Sequence, residues 1–483
     1  MSIRNVLFIA VDDLRPEIHC FGKKKLITPN LDRLAATGVR FDHAYCQYPQ
    51  SMPSRASLLS GRRPGPVRCG RADGMLEDGQ PSLPHHLRDL GYATVSLGKV
   101  PHHNDDLDDA WTAKWNDTFY ERDYVCDGYC SGYQTIENQR LVKNYHLQLH
   151  GGETTPEMLP SICERADAPD TAYPDGMIAA HAVELIHQFA SRGDRFFLAA
   201  GFYRPHLPWA CPGRYWDLYD RDEVDLADNP FFPKDAVAYT NLVDFMHYGD
   251  RAIQDTYGDF GAYRDDDFPI LPEDKQRECV HGYWASVSFV DAQIGKALDA
   301  LEATGLADST AVVLWGDNGF HLGEHKLWAK ITNFEESTRV PMIVRAPGVG
   351  GDDARTTEPG DGCDALVELL DLYPTVCDLL GEHVPGHVEG RSLRPILENP
   401  ADEFHDAIVM RCEGSRTIRT KAWRLTHYGP TQGCLMTWPG RGDVELFNLV
   451  EDPSENVNLA NRPDHAETVE ALRARLDAAA PMA

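Results

Sequence analysis

Two apolar, strand-like runs in this chain end in acidic and amide residues. Asn5-Val6-Leu7-Phe8-Ile9-Ala10-Val11 leads into Asp12 and Asp13, and Ala311-Val312-Val313-Leu314-Trp315 leads through Gly316 into Asp317 and Asn318. Carboxylate and amide oxygens without a thiolate are hard donors, suited to Ca2+ or Mg2+ rather than zinc. Between the two runs lies Ser51-Met52-Pro53-Ser54-Arg55-Ala56-Ser57-Leu58-Leu59-Ser60-Gly61-Arg62. A proline two positions after a small hydroxyl residue suits a first helical turn, Leu58 and Leu59 can anchor the helix, and Gly61 ends it. Ser51 then sits at the positive end of a helix, where backbone N–H groups favour an anion or a developing oxyanion. Arg55, one turn later, adds a fixed charge on the same face. With Asp12, Asp13, Asp317 and Asn318 holding a cation and Ser51 placed at it, the serine oxygen becomes an activated nucleophile for a tetrahedral oxyanion ester.

Four further residues could surround that oxyanion. Lys99 ends the run Gly91–Gly98, and His102 follows it closely. His206 lies in Phe202-Tyr203-Arg204-Pro205-His206-Leu207-Pro208-Trp209, and Lys330 closes Leu327-Trp328-Ala329-Lys330. Lysines and Arg55 would meet charge on the peripheral oxygens, and a histidine would protonate or stabilise the leaving alkoxide. Each also has an ordinary reading. The Asp pairs could be solvated loop ends, Lys99 a surface lysine, His206 a satisfied loop histidine and Lys330 a charge on a helix surface.

Taken together, these stretches resemble the formylglycine-dependent sulfatases of the alkaline-phosphatase superfamily. The 51–62 stretch is similar to their signature, Cys or Ser followed by x-Pro-Ser-Arg and then Leu-Thr/Ser-Gly-Arg. The start through Asp12-Asp13-Leu14-Arg15-Pro16, Gly98-Lys99-Val100, the Arg204–Pro208 turn and Gly323-Glu324-His325 through Lys330 resemble the iduronate-2-sulfatase group with its bacterial relatives. Glu445-Leu446-Phe447-Asn448-Leu449 with Asp452-Pro453 resembles the C-terminal part of sulfatases. Residues 103–175 and 212–272 match least.

The resemblance implies a sulfate-ester hydrolase acting on a sulfated sugar or uronate from a glycan, or on a small sulfate ester. Its nucleophile would be the hydrate of formylglycine at position 51, and a serine there implies either a serine-type maturation enzyme as partner or a cysteine replaced to trap an inactive form. It further implies Ca2+, with Mg2+ as the alternative, on Asp12, Asp13, Asp317, Asn318 and residue 51. Arg55 would hold the aldehyde hydrate, and Lys99, His102, His206 and Lys330 would contact sulfate. Asn318 departs from the Asp-His of the iduronate group, and Ser51 from the commoner cysteine. Two other functions stay open: a phosphonate monoester or phosphodiester hydrolase on the same fold, and a silent sulfated-glycan-binding protein if Ser51 stays unmodified.

The elements that must position these residues follow from pattern. Alternating strands and helices predict an α/β fold with a large, mostly parallel sheet covered on both faces. Strands are expected at 5–11, 39–45, 91–98, 195–201, 311–315 and 340–344. Helices are expected from Thr28 to Gly38, from Ser82 through Leu90, over roughly 176–190, along a long stretch containing Phe289, Ile294 and Leu301, and at about 363–380. The rhythm changes near 398. Residues 1–397 read as a catalytic domain, and 398–483 as a smaller C-terminal unit with a short antiparallel sheet and a last helix at about 464–479.

At 483 residues the chain can bury an ample core. Its 46 Lys and Arg against 75 Asp and Glu give a net charge of −29, which argues against nucleic acid as a partner. A sulfated substrate then needs a locally basic mouth. No apolar run is long enough for a membrane span. Met1-Ser2-Ile3-Arg4 leads directly into the first strand, so the expected location is the cytoplasm, or the periplasm or exterior if a leader has been removed. Twelve scattered cysteines lack the density of a disulfide scaffold, and no second pair joins Cys126 and Cys130 to make a zinc site.

Overall fold

Eight strands line up in one sheet, in the order Cys363–Glu368, Val39–Tyr45, Arg339–Arg345, Thr310–Gly316, Asn5–Val11, Phe196–Phe202, Ala93–Gly98 and Ala113–Trp115. The computed structural model describes residues 2–65, 71–103, 106–115, 132–148, 159–237, 239–240, 248–257, 262–263, 269–349, 362–412, 414–429 and 443–480. Neighbouring strands pair in parallel except around Arg339–Arg345, which runs antiparallel to both of its neighbours.

Asn5–Val11, Phe196–Phe202 and Thr310–Gly316 are buried at every position. Their near-continuous apolar sequences suit a sheet covered on both sides. Successive side chains point to opposite faces, so the first strand feeds two cores. Leu7, Ile9 and Val11 pack with Leu31, Ile178 and Val287 from the helices Pro29–Ala36, Pro174–Arg192 and Glu273–Ala303. Val6, Phe8 and Ala10 pack with Leu58, Leu87 and Val376 from Ser51–Ser60, Leu83–Asp89 and Leu372–Leu380.

One expected element differs. The helix at about 363–380 is a strand, Cys363–Glu368, followed by a helix at Leu372–Leu380. Cys363 to Glu368 pairs in parallel with Val39–Tyr45 at the sheet edge. A capping box between Glu368 and Asp371 restarts the chain as helix. Short apolar runs fit either period, and pairing decided this one. The stretch 103–175 contributes the outermost strand Ala113–Trp115, the helix Ile136–Gln148 and a strand Cys163–Ala166 that pairs with Trp209–Pro212.

Beyond these, Ile408–Cys412, Ser415–Arg419, Trp423–Tyr428 and Val444–Asn448 form a four-stranded antiparallel sheet in sequence order. Ile418, Leu425 and Leu446 from this sheet pack on Leu472 and Leu476 of the helix Ala466–Ala479. No described helix is long and apolar enough to cross a membrane. The described cysteines are all free thiols, and Cys126 and Cys130 lie outside the described residues.

Candidate active site

Parallel strands bring their carboxyl ends to one edge, and ligands collect there in open α/β sheets. Asn5–Val11 and Thr310–Gly316 are direct neighbours in register, Val11 opposite Gly316, so Asp12 and Asp13 emerge beside Asp317 and Asn318. The Asp13 N–H donates to Asp317 Oδ1 at 3.0 Å. Oxygens of Asp12, Asp13 and Asp317 lie within 4.8 Å of one another, and all three side chains are buried.

The helix Ser51–Ser60 opens at this edge. Ser51 is its first residue, and Gly61 ends it in a left-handed conformation at φ 71°. The Ser51 hydroxyl shares its proton between Asp12 Oδ1 at 3.1 Å and Asn318 Oδ1 at 3.2 Å, and accepts from Lys330 Nζ at 3.0 Å. Ser54, not singled out from sequence, donates its hydroxyl to the Asp317 carbonyl at 2.6 Å and ties the helix to the second strand end.

Arg55 lies beneath the carboxylates, fully buried over the Trp315 ring. Its Nε donates to Asp317 Oδ2 at 2.7 Å and Nη2 to Asp12 Oδ1 at 3.2 Å, while Nη1 reaches the carbonyls of Lys99 and Val100. Lys99 returns the connection by pairing its ammonium with Asp12. The backbone of Lys99 can stand this close because its neighbour in the sheet is Gly201. A Cβ there would come within 1.9 Å of the Lys99 carbonyl oxygen.

Lys330 is not on a helix surface. It follows the short strand Trp328–Ala329, between Ala329 and Ile331, both at positive φ, and is 5% exposed. Its ammonium pairs with Asp13 Oδ1, which also accepts from Asn318 Nδ2 at 2.8 Å. The turn around Lys330 is clasped by the C-terminal sheet. Cys412 Sγ donates to the Ile331 carbonyl at 3.5 Å, and Thr417 Oγ1 donates to Asn333 Oδ1 at 3.0 Å.

His206 enters from Phe196–Phe202. Its Nδ1 donates to the Leu207 carbonyl at 2.8 Å, which leaves Nε2 facing Asp13 Oδ2 at 3.7 Å. Behind it Asp175 accepts the N–H groups of Tyr203 at 2.6 Å and Arg204 at 3.1 Å, and Arg204 Nη1 donates to the His206 carbonyl at 3.2 Å. His102 is partly buried near Lys99, its ring edge-on to His103 at 4.7 Å. The structure thus gathers Asp12, Asp13, Ser51, Arg55, Lys99, His206, Asp317, Asn318 and Lys330 through direct contacts, with His102 near Lys99.

Three carboxylates, Asp12, Asp13 and Asp317, face Arg55, Lys99 and Lys330 here, so acidic and basic groups are matched in number. Burial opposes ionisation of Asp12, but the surrounding charges, led by Lys99, hold its carboxyl well below the usual range. Burial raises Asp13 to about 6 against the pull of Lys330, and Asp317 to about 6 against that of Arg55. Burial also lowers Lys99 to about 8 and His206 to about 3, so the imidazole is neutral. Burial, reinforced by Lys99, holds His102 well below its ordinary value.

This donor set fits a hard divalent ion. The ligands are oxygens, and Asp13 Oδ2 is buried without a hydrogen bond, a cost that a coordinated cation removes. A second acidic group, Glu368, Asp371 and His405, fits less well. Arg63 pairs with Glu368, and His405 Nε2 lies 2.9 Å from Asp371, so its charges are already matched.

A protein-family model described as "Sulfatase" matches residues 4–382. The chain belongs to the sulfatase family. A second model, "N-sulphoglucosamine sulphohydrolase, C-terminal", matches residues 323–481 of the sulfatase. Iduronate 2-sulfatase of Mus musculus is 32% identical to it, covering 97% of this chain and 93% of that protein. A sulfatase of Formosa agariphila is 28% identical, covering 98% and 86%. Among solved structures, BT4656 in complex with its substrate D-glucosamine-2-N,6-O-disulfate aligns over 99% of this chain and 97% of its own, with a TM-score of 0.71 at 20% identity. The phosphonate monoester hydrolase SpPMH from Silicibacter pomeroyi also gives 0.71 at 20% identity, over 98% and 94% of the two chains. Those structural likenesses establish the alkaline-phosphatase-like fold, and family membership makes this sulfatase a sulfuric ester hydrolase.

Proposed function

We propose that this sulfatase removes sulfate from a sulfated sugar or uronate, using residue 51 as formylglycine beside Ca2+ held by Asp12, Asp13, Asp317 and Asn318. The observation that carries this reading is Ser51 Oγ, within 3.2 Å of both Asp12 and Asn318 and 3.0 Å from Lys330, in a sulfatase signature. Glycan sulfatases among the relatives support the substrate class.

A divalent ion held by Asp12, Asp13, Asp317 and Asn318 would supply positive charge to a bound sulfate ester, and an aldehyde hydrate at residue 51 would supply a nucleophilic hydroxyl with a second one for release of sulfate. The chain's own residues do the rest. Lys99 and Lys330 present charge to the oxyanion, and Arg55 fixes Asp12 and Asp317. His206 offers Nε2 to the reacting groups while Nδ1 is committed to the Leu207 carbonyl.

The test begins with co-expression alongside a serine-type maturation enzyme and intact-mass measurement for the loss of two hydrogens at Ser51. Protein so verified is then assayed on sulfated sugars, aryl sulfates, phosphonate monoesters and phosphodiesters. Turnover of sulfated sugars is expected; turnover of phosphonate esters alone would reject the proposal in favour of a phosphonate hydrolase. Binding of sulfated sugars with no turnover by aldehyde-bearing protein would favour a silent binding protein.

The carboxyl shifts predict how Ca2+ acts on stability. Asp13 and Asp317 ionise near 6 in the folded protein instead of 3.8, so the folded state binds their protons more tightly than the unfolded chain. In protein without the ion, their contribution to stability therefore falls as pH rises between those values and stays low above about 6. Ca2+ replaces the protons and removes that cost. Saturating Ca2+ should raise Tm more at about pH 7.5 than at about pH 5. Equal increments in differential scanning calorimetry would contradict this.

A further inference from the structure

We infer that Tyr283 is a positioning residue for Asp13, holding the turn that aims this carboxylate at the cation site; the inference rests on the metal reading proposed above. Asp13 stands at φ 57°, in the left-handed region that an L residue seldom adopts. Asp12, by contrast, continues the strand, its N–H bonded to the Phe202 carbonyl at 3.1 Å. Sheet pairing thus fixes Asp12, while the reversal at Asp13, whose N–H is held by Asp317 Oδ1 at 3.0 Å, needs a support on its carbonyl side.

The Tyr283 hydroxyl supplies it from the long helix. It donates to the Asp13 carbonyl at 2.8 Å and accepts the Arg15 N–H at 3.0 Å, bridging the turn on both sides of Leu14. The ring is fully buried, with Trp209 edge-on at 6.3 Å and Phe320 stacked at 5.9 Å. One hydroxyl therefore satisfies both a donor and an acceptor, and a phenylalanine would fill the same space while removing the partner of each. Partners one step behind metal ligands set ligand orientation, and losing one typically weakens metal binding by about 10- to 100-fold.

The experiment is Ca2+ titration by isothermal calorimetry on chelator-stripped full-length protein. Tyr283→Phe should bind Ca2+ about 10-fold more weakly than the wild type. Ser288→Ala is the control: on the same helix it loses a hydroxyl hydrogen bond to the Ile27 carbonyl at 2.8 Å, away from the Asp13 turn. It should lower Tm and leave Ca2+ affinity unchanged. Equal affinity of Tyr283→Phe and wild type would overturn the inference, as would equal weakening by both variants. Absence of Ca2+ binding by the wild type would overturn the metal reading itself, and this inference with it. Should Tyr283→Phe not fold, hydrogen exchange at the Arg15 amide of the stripped wild type decides: slow exchange supports the bridge, and exchange at the rate of an open loop overturns it.

Discussion

Ser51→Ala is expected to abolish hydrolysis of sulfate esters, lowering kcat/KM by at least about 10^4-fold against protein carrying the aldehyde. The substitution removes the one oxygen that sits among Asp12, Asn318 and Lys330. It also removes the side chain from which an aldehyde could be made. The helix should survive, because Ser51 is its first residue and contributes no cap. Circular dichroism should therefore stay near that of the wild type, while steady-state kinetics collapse. Ser51→Cys is the informative companion. It should regain activity only in a host whose maturation enzyme accepts cysteine, and intact mass reads that conversion independently of turnover. Substantial activity of Ser51→Ala on sulfated sugars would remove residue 51 from the chemistry.

Arg55→Lys is expected to cost about 3 kcal/mol of stability and to impair Ca2+ binding, although the charge is retained. The guanidinium is planar and divides its donors among Asp317, Asp12 and the carbonyls of Lys99 and Val100. An ammonium is a point charge on a shorter stem, and it cannot span those acceptors. Asp12 and Asp317 would then approach each other with less between them, and the backbone after Ala93–Gly98 would lose its tether. Urea unfolding in chelator measures the stability term, and calorimetric titration measures the ion. Unchanged values for both would mean that Arg55 is not the clamp its contacts describe.

Much of this site could be read from local pattern. Asp12, Asp13, Asp317 and Asn318 each follow a strand whose apolar residues announce its end, and the parallel arrangement carries them to one edge. Ser51 was legible for a similar reason, since a hydroxyl, a proline and a terminal glycine mark both ends of its helix. What the pattern could not supply was the identity of tertiary neighbours. Helical spacing put Arg55 on the face of Ser51, but not that the carboxylates of two strands lie under that face. Tyr283 sits in a helix whose buried side includes many large apolar residues, and nothing about its spacing separates it from packing. Asp175 resembles any acidic residue in a first helical turn, although its carboxylate holds the backbone at Tyr203 and Arg204. The strand Cys363–Glu368 was hidden because its short apolar run shares its composition with the helix that follows.

The clasp over Ile331 and Asn333 has a consequence for how the enzyme comes into being. Lys330 depends on a turn whose backbone and side chains are gripped by Cys412 and Thr417, about eighty positions further along the chain. During synthesis Asp12, Asp13, Ser51, Arg55 and Asp317 all emerge well before that grip exists. The strands Ile408–Cys412 and Ser415–Arg419 therefore complete the support of Lys330, and a polypeptide cut short ahead of them would carry the other site residues without the clasp on the Lys330 turn.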